Sequence, residues 1–129
     1  MGYSKELDDW QHDAHTTARA KGWWSAQEVQ NQDGTVTLNR ELVAATIPEK
    51  LCLIHSEVSE ALEDYRVGKL ATTLRESDGK PEGLPSELAD IVIRVMDLAE
   101  ALGINLEREM GAKMRYNATR PHRHGGKRA

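Results

Sequence analysis

Helix caps and helix breakers divide the chain into four helical stretches, and apolar residues recur on one face of the second and third. The predicted helices cover residues 4–21, 46–66, 84–102 and 105–119, and Ser4 is the expected N-cap of the first. No alternation of apolar and polar residues is long enough to support a sheet. The pattern therefore predicts an all-α fold in which four principal helices pack as an antiparallel bundle.

The connections between these helices differ in character. Within residues 27–38, two short β-prone runs flank an Asn-Gln-Asp-Gly turn and predict a small hairpin, and a short helix is expected near residues 38–45. Residues 67–83 form a long polar loop. We therefore expect one helical domain over residues 1–120, followed by a basic, glycine-rich tail over residues 121–129.

Composition narrows the class of protein. A chain of 129 residues is one domain by size, and its 39% apolar content without any Phe is lean for a self-sufficient core, which favours a homo-oligomer. The net charge of −4 argues against nucleic acid or an anionic membrane as a partner, and no run is long enough to span a membrane. The single Cys52 excludes an intrachain disulfide framework and fits a cytoplasmic location.

The second and third predicted helices carry the same pattern of carboxylates. Glu57 and Glu60 are three residues apart, as are Glu87 and Asp90, so each pair lies on one face of its helix. Each pair also borders an apolar stripe, and antiparallel packing of the stripes turns both pairs toward one groove. The stripes consist of Leu51, Ile54, Val58, Ala61, Leu62 and Tyr65 on one helix, and of Leu84, Leu88, Ile91, Val92, Val95, Leu98 and Leu102 on the other.

Four carboxylates in one groove raise one another's pKa values, and a hard divalent cation relieves the repulsion. Oxygen ligands favour Mg²⁺, with Mn²⁺ as the alternative. A di-iron site of the ferritin type needs Glu-x-x-His on two helices, whereas Glu60 and Asp90 occupy those positions here. Acidic residues also border helix stripes simply because helix surfaces are charged, but two matched pairs favour a metal site.

The motifs Glu57-x-x-Glu60 and Glu87-x-x-Asp90, together with residues 113–121, resemble the MazG-like all-α nucleoside triphosphate pyrophosphohydrolase superfamily. The similarity extends over residues 47–127. The resemblance implies hydrolysis of an NTP or dNTP to the monophosphate and pyrophosphate, with Mg²⁺ bound by the four acidic residues. It also implies a dimer or tetramer.

The resemblance also suggests roles for individual residues. Either Glu57 or Glu60 is the expected general base, and the tryptophans that follow Gly22 are candidates for stacking on the base. The alternative interpretations are that the basic residues complement a helix dipole and that one tryptophan fills the core. The expected substrate-binding residues are Lys113, Arg115, Asn117 and Arg120 for phosphate or sugar, and Trp23, Trp24 and His12 for the base.

Two other functions remain compatible with the sequence. The same groove suits a related substrate, such as phosphoribosyl-ATP or an alarmone. Alternatively, the chain is a non-enzymatic helical module for oligomerisation or regulation, whose acidic edges only solvate the bundle. Divalent-cation binding separates this module from either enzyme, and no residue in the sequence specifies a base.

Overall fold

A computed structural model describes residues 5–122 of the chain. Its helices are α1 (Leu7–Ala20), α2 (Arg40–Arg66), α3 (Leu84–Ala101) and α4 (Leu106–Thr119), which confirms the predicted all-α class with four principal helices. None of the described helices is both long and apolar enough to cross a membrane. The expected cap Ser4 and residues 123–129 of the tail lie outside the described residues.

Helix α3 lies at the centre and packs against both α1 and α2. Gln11 near the start of α1 donates to Glu100 near the end of α3 at 3.0 Å, and His15 pairs with Asp97 at 2.7 Å. Since these contacts advance along α1 while they retreat along α3, the two helices are antiparallel. Helix α3 also runs back along α2, because the N–H of Leu84 at its start donates to a carbonyl just after the end of α2.

Helix α2 begins earlier than the sequence predicted. The side chain of Asn39 caps it by accepting a hydrogen bond from the N–H of Leu42 at 3.0 Å, and the helix then continues through Pro48 without a break. A separate short helix near residues 38–45 is therefore wrong. Proline removes one helical hydrogen bond, but the first turns of α2 gain core contacts through Val43, so tertiary packing outweighs the local preference.

Two small strand pairs connect the helices. The predicted hairpin is confirmed: β1 (Glu28–Gln30) pairs antiparallel with β2 (Val36–Leu38). Gly34 adopts a φ of 88° in the turn, a conformation that side chains disfavour. Within the long loop, β3 (Thr73–Leu74) pairs with β4 (Pro81–Glu82), which gives this polar connection a defined course back to α3.

The core forms around Trp24, whose side chain is 0% exposed. Val43 from α2 and Leu98 from α3 pack with it, so this one ring joins both helices to the segment that follows α1. Its indole Nε1 donates to both carboxylate oxygens of Asp97, at 2.9 and 3.1 Å. The buried polar atom of the ring is therefore satisfied, as burial requires.

The predicted apolar stripes face inward only in part. On α2, Ile54 is half-buried and Ala61 is buried against the bundle. The prediction that the whole stripes face each other is wrong, because the buried face of α2 is rotated toward its acidic residues. The large apolar side chains left exposed on the two helices are Leu51, Val58, Leu62, Tyr65, Leu88 and Val92.

Candidate metal centre

Three of the four predicted metal ligands converge between α2 and α3. Ligand oxygens of Glu57, Glu87 and Asp90 all lie within 4.8 Å of one another. Glu57 is only 8% exposed, Glu87 is partly buried and Asp90 is exposed, so the cluster extends from the helix interface to the surface. This is a cluster that one cation can contact while it remains accessible to a ligand.

The start of α3 fixes where Glu87 lies. Gly83 caps the helix with a φ of 111°, and a Cβ at this position would collide with the carbonyl oxygen of Ala71. Only glycine fits both the backbone conformation and the close approach. The N–H of Glu87 then donates to the carbonyl of Gly83 at 3.1 Å, which places the carboxylate in the first turn of α3.

The electrostatics of the cluster are those of crowded, partly desolvated carboxylates. Burial is the largest cause that raises the pKa of Glu87 to about 7, and the charges of Glu60, Asp90, Glu57 and Asp64 add to it. Among the described residues, Glu87 Oε2 is buried without a hydrogen-bond partner. Burial, followed by the charge of Glu57, also raises the pKa of Asp90. The cluster therefore holds negative charge at an energetic cost.

Glu60 and Asp64 complete the acidic face of α2. Glu60, the fourth predicted ligand, falls outside the 4.8 Å cluster, but its charge is the largest Coulombic contribution to the raised pKa of Glu87. Asp64 was not predicted, and its Oδ2 is buried without a hydrogen-bond partner among residues 5–122. Its spacing of seven residues from Glu57 is the signal that could have identified it, since that spacing keeps both on one helical face.

Arg94 is a second residue that the sequence prediction missed. It lies one turn after Asp90 on α3, and its Nε donates to Oε1 of the buried Glu57 at 2.8 Å. Its guanidinium also opposes the rise in the pKa of Asp90. A basic residue four positions after an acidic one usually forms a surface pair, which is why its place in the cluster did not stand out.

A cleft of about 440 Å³ opens beside the cluster, between α1 and α3. Glu57 and Asp90 line one side, and the rings of Trp10 and Trp23 line it with 51% and 58% of each residue exposed. Such a mixture of exposed aromatic and charged side chains suits a ligand that is part aromatic and part polar. The other lining residues are Lys5, Asp13, Ala14, Thr17, Ala18, Lys21, Ile93, Arg94, Met96 and Asp97.

The structure separates two predicted base-contacting residues from this cleft. Trp24 fills the core and leaves no face for a ligand, so it behaves as the alternative interpretation expected for one of the two tryptophans. His12 lies on the opposite face of α1, where it lines a different cleft. Its Nδ1 is 3.4 Å from Oε2 of Glu100. Of the predicted base-contacting residues, Trp23 is the one that lines the cleft beside the acidic cluster.

The predicted phosphate-contacting residues lie on α4 and its C-cap. In the part of the chain that the structure describes, none of them lines the acidic cleft. Lys113 Nζ instead lies 5.9 Å from the ring centre of Tyr116, and Arg120 Cζ lies 5.7 Å from the same ring. Contacts of Lys113, Arg115, Asn117 and Arg120 with phosphate therefore stay predictions.

The donor atoms of the cluster fit a hard divalent cation. Every candidate ligand is a carboxylate oxygen, which suits Mg²⁺ or Mn²⁺ rather than a softer metal. Glu87 Oε2, which has no hydrogen-bond partner in the described part of the chain, is the kind of buried acceptor that a cation satisfies. Comparisons of the chain with family models, curated proteins and solved structures found no match, so the family resemblance depends on the motif residues alone.

Proposed function

We propose that this chain is a cytoplasmic nucleoside triphosphate pyrophosphohydrolase of the MazG-like superfamily, which uses Mg²⁺ or Mn²⁺. The observation that carries the proposal is the convergence of Glu57, Glu87 and Asp90 within 4.8 Å, beside a cleft with exposed tryptophan rings. Acidic side chains that only solvate a helix point into water, whereas here Glu87 Oε2 is buried and finds no hydrogen-bond partner within residues 5–122. The site thus supports cation binding over a purely structural role.

In the proposed hydrolysis, some of the acidic residues bind the cation and another accepts a proton. A divalent cation held by Glu57, Glu87 and Asp90 would supply positive charge to the triphosphate oxygens. Water attacks phosphorus, the phosphoanhydride bond breaks, pyrophosphate leaves with the electron pair, and a carboxylate accepts the proton of the water. Glu60 is the better general base, because Glu57 already accepts a hydrogen bond from Arg94 whereas Glu60 is exposed.

The cleft provides a place for the nucleoside. Trp23 offers an exposed ring for stacking against a base, and Trp10 lines the same space. Asp13 and Lys21 add polar groups that can bond to base or sugar edges. Because the acidic cluster borders this cleft, a nucleotide whose base lies against Trp23 can direct its phosphates toward Glu57 and Asp90.

The decisive test is pyrophosphate release across all common NTPs and dNTPs, with Mg²⁺ and with Mn²⁺. We expect at least one triphosphate to yield pyrophosphate and monophosphate in equal amounts. Glu60→Gln should abolish this turnover without loss of helix content by circular dichroism, because an amide cannot take the proton. Glu63→Gln is the matched control, since Glu63 lies on the same helix in an exposed pair with Arg66 and should retain full activity.

Several results of this assay would contradict the proposal. Activity confined to phosphoribosyl-ATP or an alarmone, added as further substrates, would move the chain to the related-substrate alternative. No activity with any substrate, combined with no binding of Mg²⁺, would favour the non-enzymatic helical module. Full activity in Glu60→Gln would remove Glu60 as general base.

We also propose that the chain works as a homo-oligomer, a dimer or a tetramer. Exposed Leu51, Val58, Leu62 and Tyr65 follow one face of α2, and an apolar face of this kind favours contact with a second copy. Sedimentation velocity should give a mass that is a multiple of 14.4 kDa. Leu62→Glu should shift the protein toward monomer, whereas Glu63→Gln should not. A wild-type monomer at micromolar concentration would contradict the proposal.

A further inference from the structure

Arg94 connects the acidic cluster to the ligand cleft. Its Nε donates to Glu57 Oε1 at 2.8 Å, and its Cζ lies 5.6 Å from the ring centre of Trp23. The guanidinium group therefore bonds to a proposed metal ligand and lies within cation–π range of the proposed base-stacking ring.

Two carboxylates of the cluster depend on this guanidinium for charge compensation. Glu57 is nearly buried and accepts a hydrogen bond from Arg94 Nε at 2.8 Å. Asp90 lies one turn before Arg94 on the same helix, and its ligand oxygen is within 4.8 Å of that of Glu57. A divalent cation bound to the same two carboxylates would compensate their charge more strongly than one guanidinium. It would also repel the guanidinium at short range. Cation binding and the Arg94–Glu57 pair are therefore in competition.

A guanidinium that leaves Glu57 remains at the edge of the cleft, where a triphosphate would extend. Its planar set of N–H donors matches phosphate oxygens in a bidentate arrangement, which an ammonium group does not reproduce. The ring of Trp23 beside it restricts where the group can go. The movement needed is a change of partner by one side chain, with no rearrangement of the helices.

We propose that Arg94 is an exchangeable counter-ion: it pairs with Glu57 until a divalent cation binds, and it then binds the phosphates of the substrate. This inference rests on the proposed function, because it assumes that the cluster binds a cation and that the cleft binds a phosphate chain. It adds a phosphate-binding residue that the sequence motifs do not contain. It also predicts that metal binding prepares the protein for substrate.

Calorimetry with Mg²⁺ alone, and then with inorganic tripolyphosphate at saturating Mg²⁺, tests both halves. Arg94→Gln should bind Mg²⁺ about tenfold more tightly, because a competing charge is removed at short range. The same variant should bind tripolyphosphate about tenfold more weakly. Arg94→Lys keeps the charge, so it should bind Mg²⁺ like the wild type and tripolyphosphate with intermediate affinity. Arg66→Gln, in an exposed pair on α2, is the control and should change neither.

Both changes in Arg94→Gln are required, so the absence of either one overturns the inference. If the wild type binds Mg²⁺ and Arg94→Gln binds it no more tightly, Arg94 loses its role while the proposed function stands. If the wild type binds no Mg²⁺, both fail together. Should Arg94→Gln not fold, the wild type still decides through NMR of its arginine Nε–H groups. The Arg94 signal, assigned with Arg94→Lys, should shift during a Mg²⁺ titration, and a signal that stays fixed to saturation overturns the exchange.

Discussion

Glu87→Gln is expected to abolish Mg²⁺ binding and to lower hydrolysis about 10³-fold, while it makes the metal-free protein more stable above pH 7. The two effects have opposite signs but one cause. Glu87 lies among Glu60, Asp90, Glu57 and Asp64, and burial together with these charges raises its pKa to about 7. A neutral amide of the same shape removes the repulsion, and it also removes the charge of a proposed metal ligand.

The dependence of stability on pH follows from the direction of this shift. The pKa of Glu87 rises from an ordinary 4.5 to about 7 on folding, so between these values the folded chain holds a proton that the unfolded chain releases. The contribution of Glu87 to the free energy of unfolding is therefore fully present below pH 4.5 and is lost as the pH rises through about 7. Glu87→Gln should not show this loss. At about pH 8 its free energy of unfolding should exceed that of the wild type by on the order of 1 kcal/mol, a small difference because Glu87 is partly exposed.

Urea unfolding in the presence of EDTA, at about pH 5 and about pH 8, measures this difference. The variant and the wild type should have similar free energies of unfolding at the lower pH and should diverge at the higher one. Glu63→Gln, exposed and outside the cluster, should follow the wild type at both. Equal stabilities of Glu87→Gln and wild type at both pH values would show that Glu87 is not under electrostatic strain.

Mg²⁺ should stabilise the wild type but not Glu87→Gln, which is the reverse of the difference expected without metal. A cation that binds only the folded state should raise the melting temperature of the wild type at about pH 8, but not that of Glu87→Gln. Below about pH 7 the cation has to displace the proton of Glu87, so its affinity should fall and its binding should release protons. Calorimetry in buffers with different ionisation enthalpies counts those protons.

Local signals in the sequence predicted most of the helices. Gly103 follows α3 as the predicted stop, and the side chain of Asn105 caps α4 by accepting a hydrogen bond from the N–H of Arg108. Both helices therefore begin and end close to the predicted positions. The start of α2 was missed because Pro48 is a strong local signal for a first turn. The contact that outweighs it, Val43 against Trp24, joins residues far apart in sequence.

The acidic cluster was predictable from the spacing of its residues along two helices. Helical periodicity alone brings Glu57, Glu87 and Asp90 to one side of two packed helices. The periodicity does not fix how far each helix is rotated, so it did not reveal that Glu57 is buried. Nor did it distinguish Arg94 from the many arginines that form ordinary surface pairs, because the distinction depends on the partner helix.

The burial of the two adjacent tryptophans could not be predicted from the sequence. Trp23 and Trp24 follow the same helix stop, and no local pattern says which one is buried. The structure buries Trp24 completely, whereas 58% of Trp23 is exposed. This difference predicts a sharp contrast between two otherwise identical substitutions.

Trp24→Ala is expected to lower the free energy of unfolding by about 3–5 kcal/mol, because it leaves a large cavity in the core. The loss should be toward the upper end, since Asp97 would also lose the indole donor that contacts both of its oxygens. A protein of this size has a total stability of about 5–15 kcal/mol, so the variant should be largely unfolded at moderate urea concentration. Denaturant unfolding followed by circular dichroism measures the change.

Trp23→Ala is the matched control, and it should leave the free energy of unfolding within about 0.5 kcal/mol of the wild type. Because Trp23 lines the cleft beside Glu57 and Asp90, the same substitution should raise the KM for the preferred triphosphate about tenfold, through loss of base stacking. The two substitutions thus separate a residue that holds α2 and α3 together from one that lines the proposed ligand cleft. Equal destabilisation by both substitutions would contradict the burial of Trp24, and an unchanged KM in Trp23→Ala would move the base away from this ring.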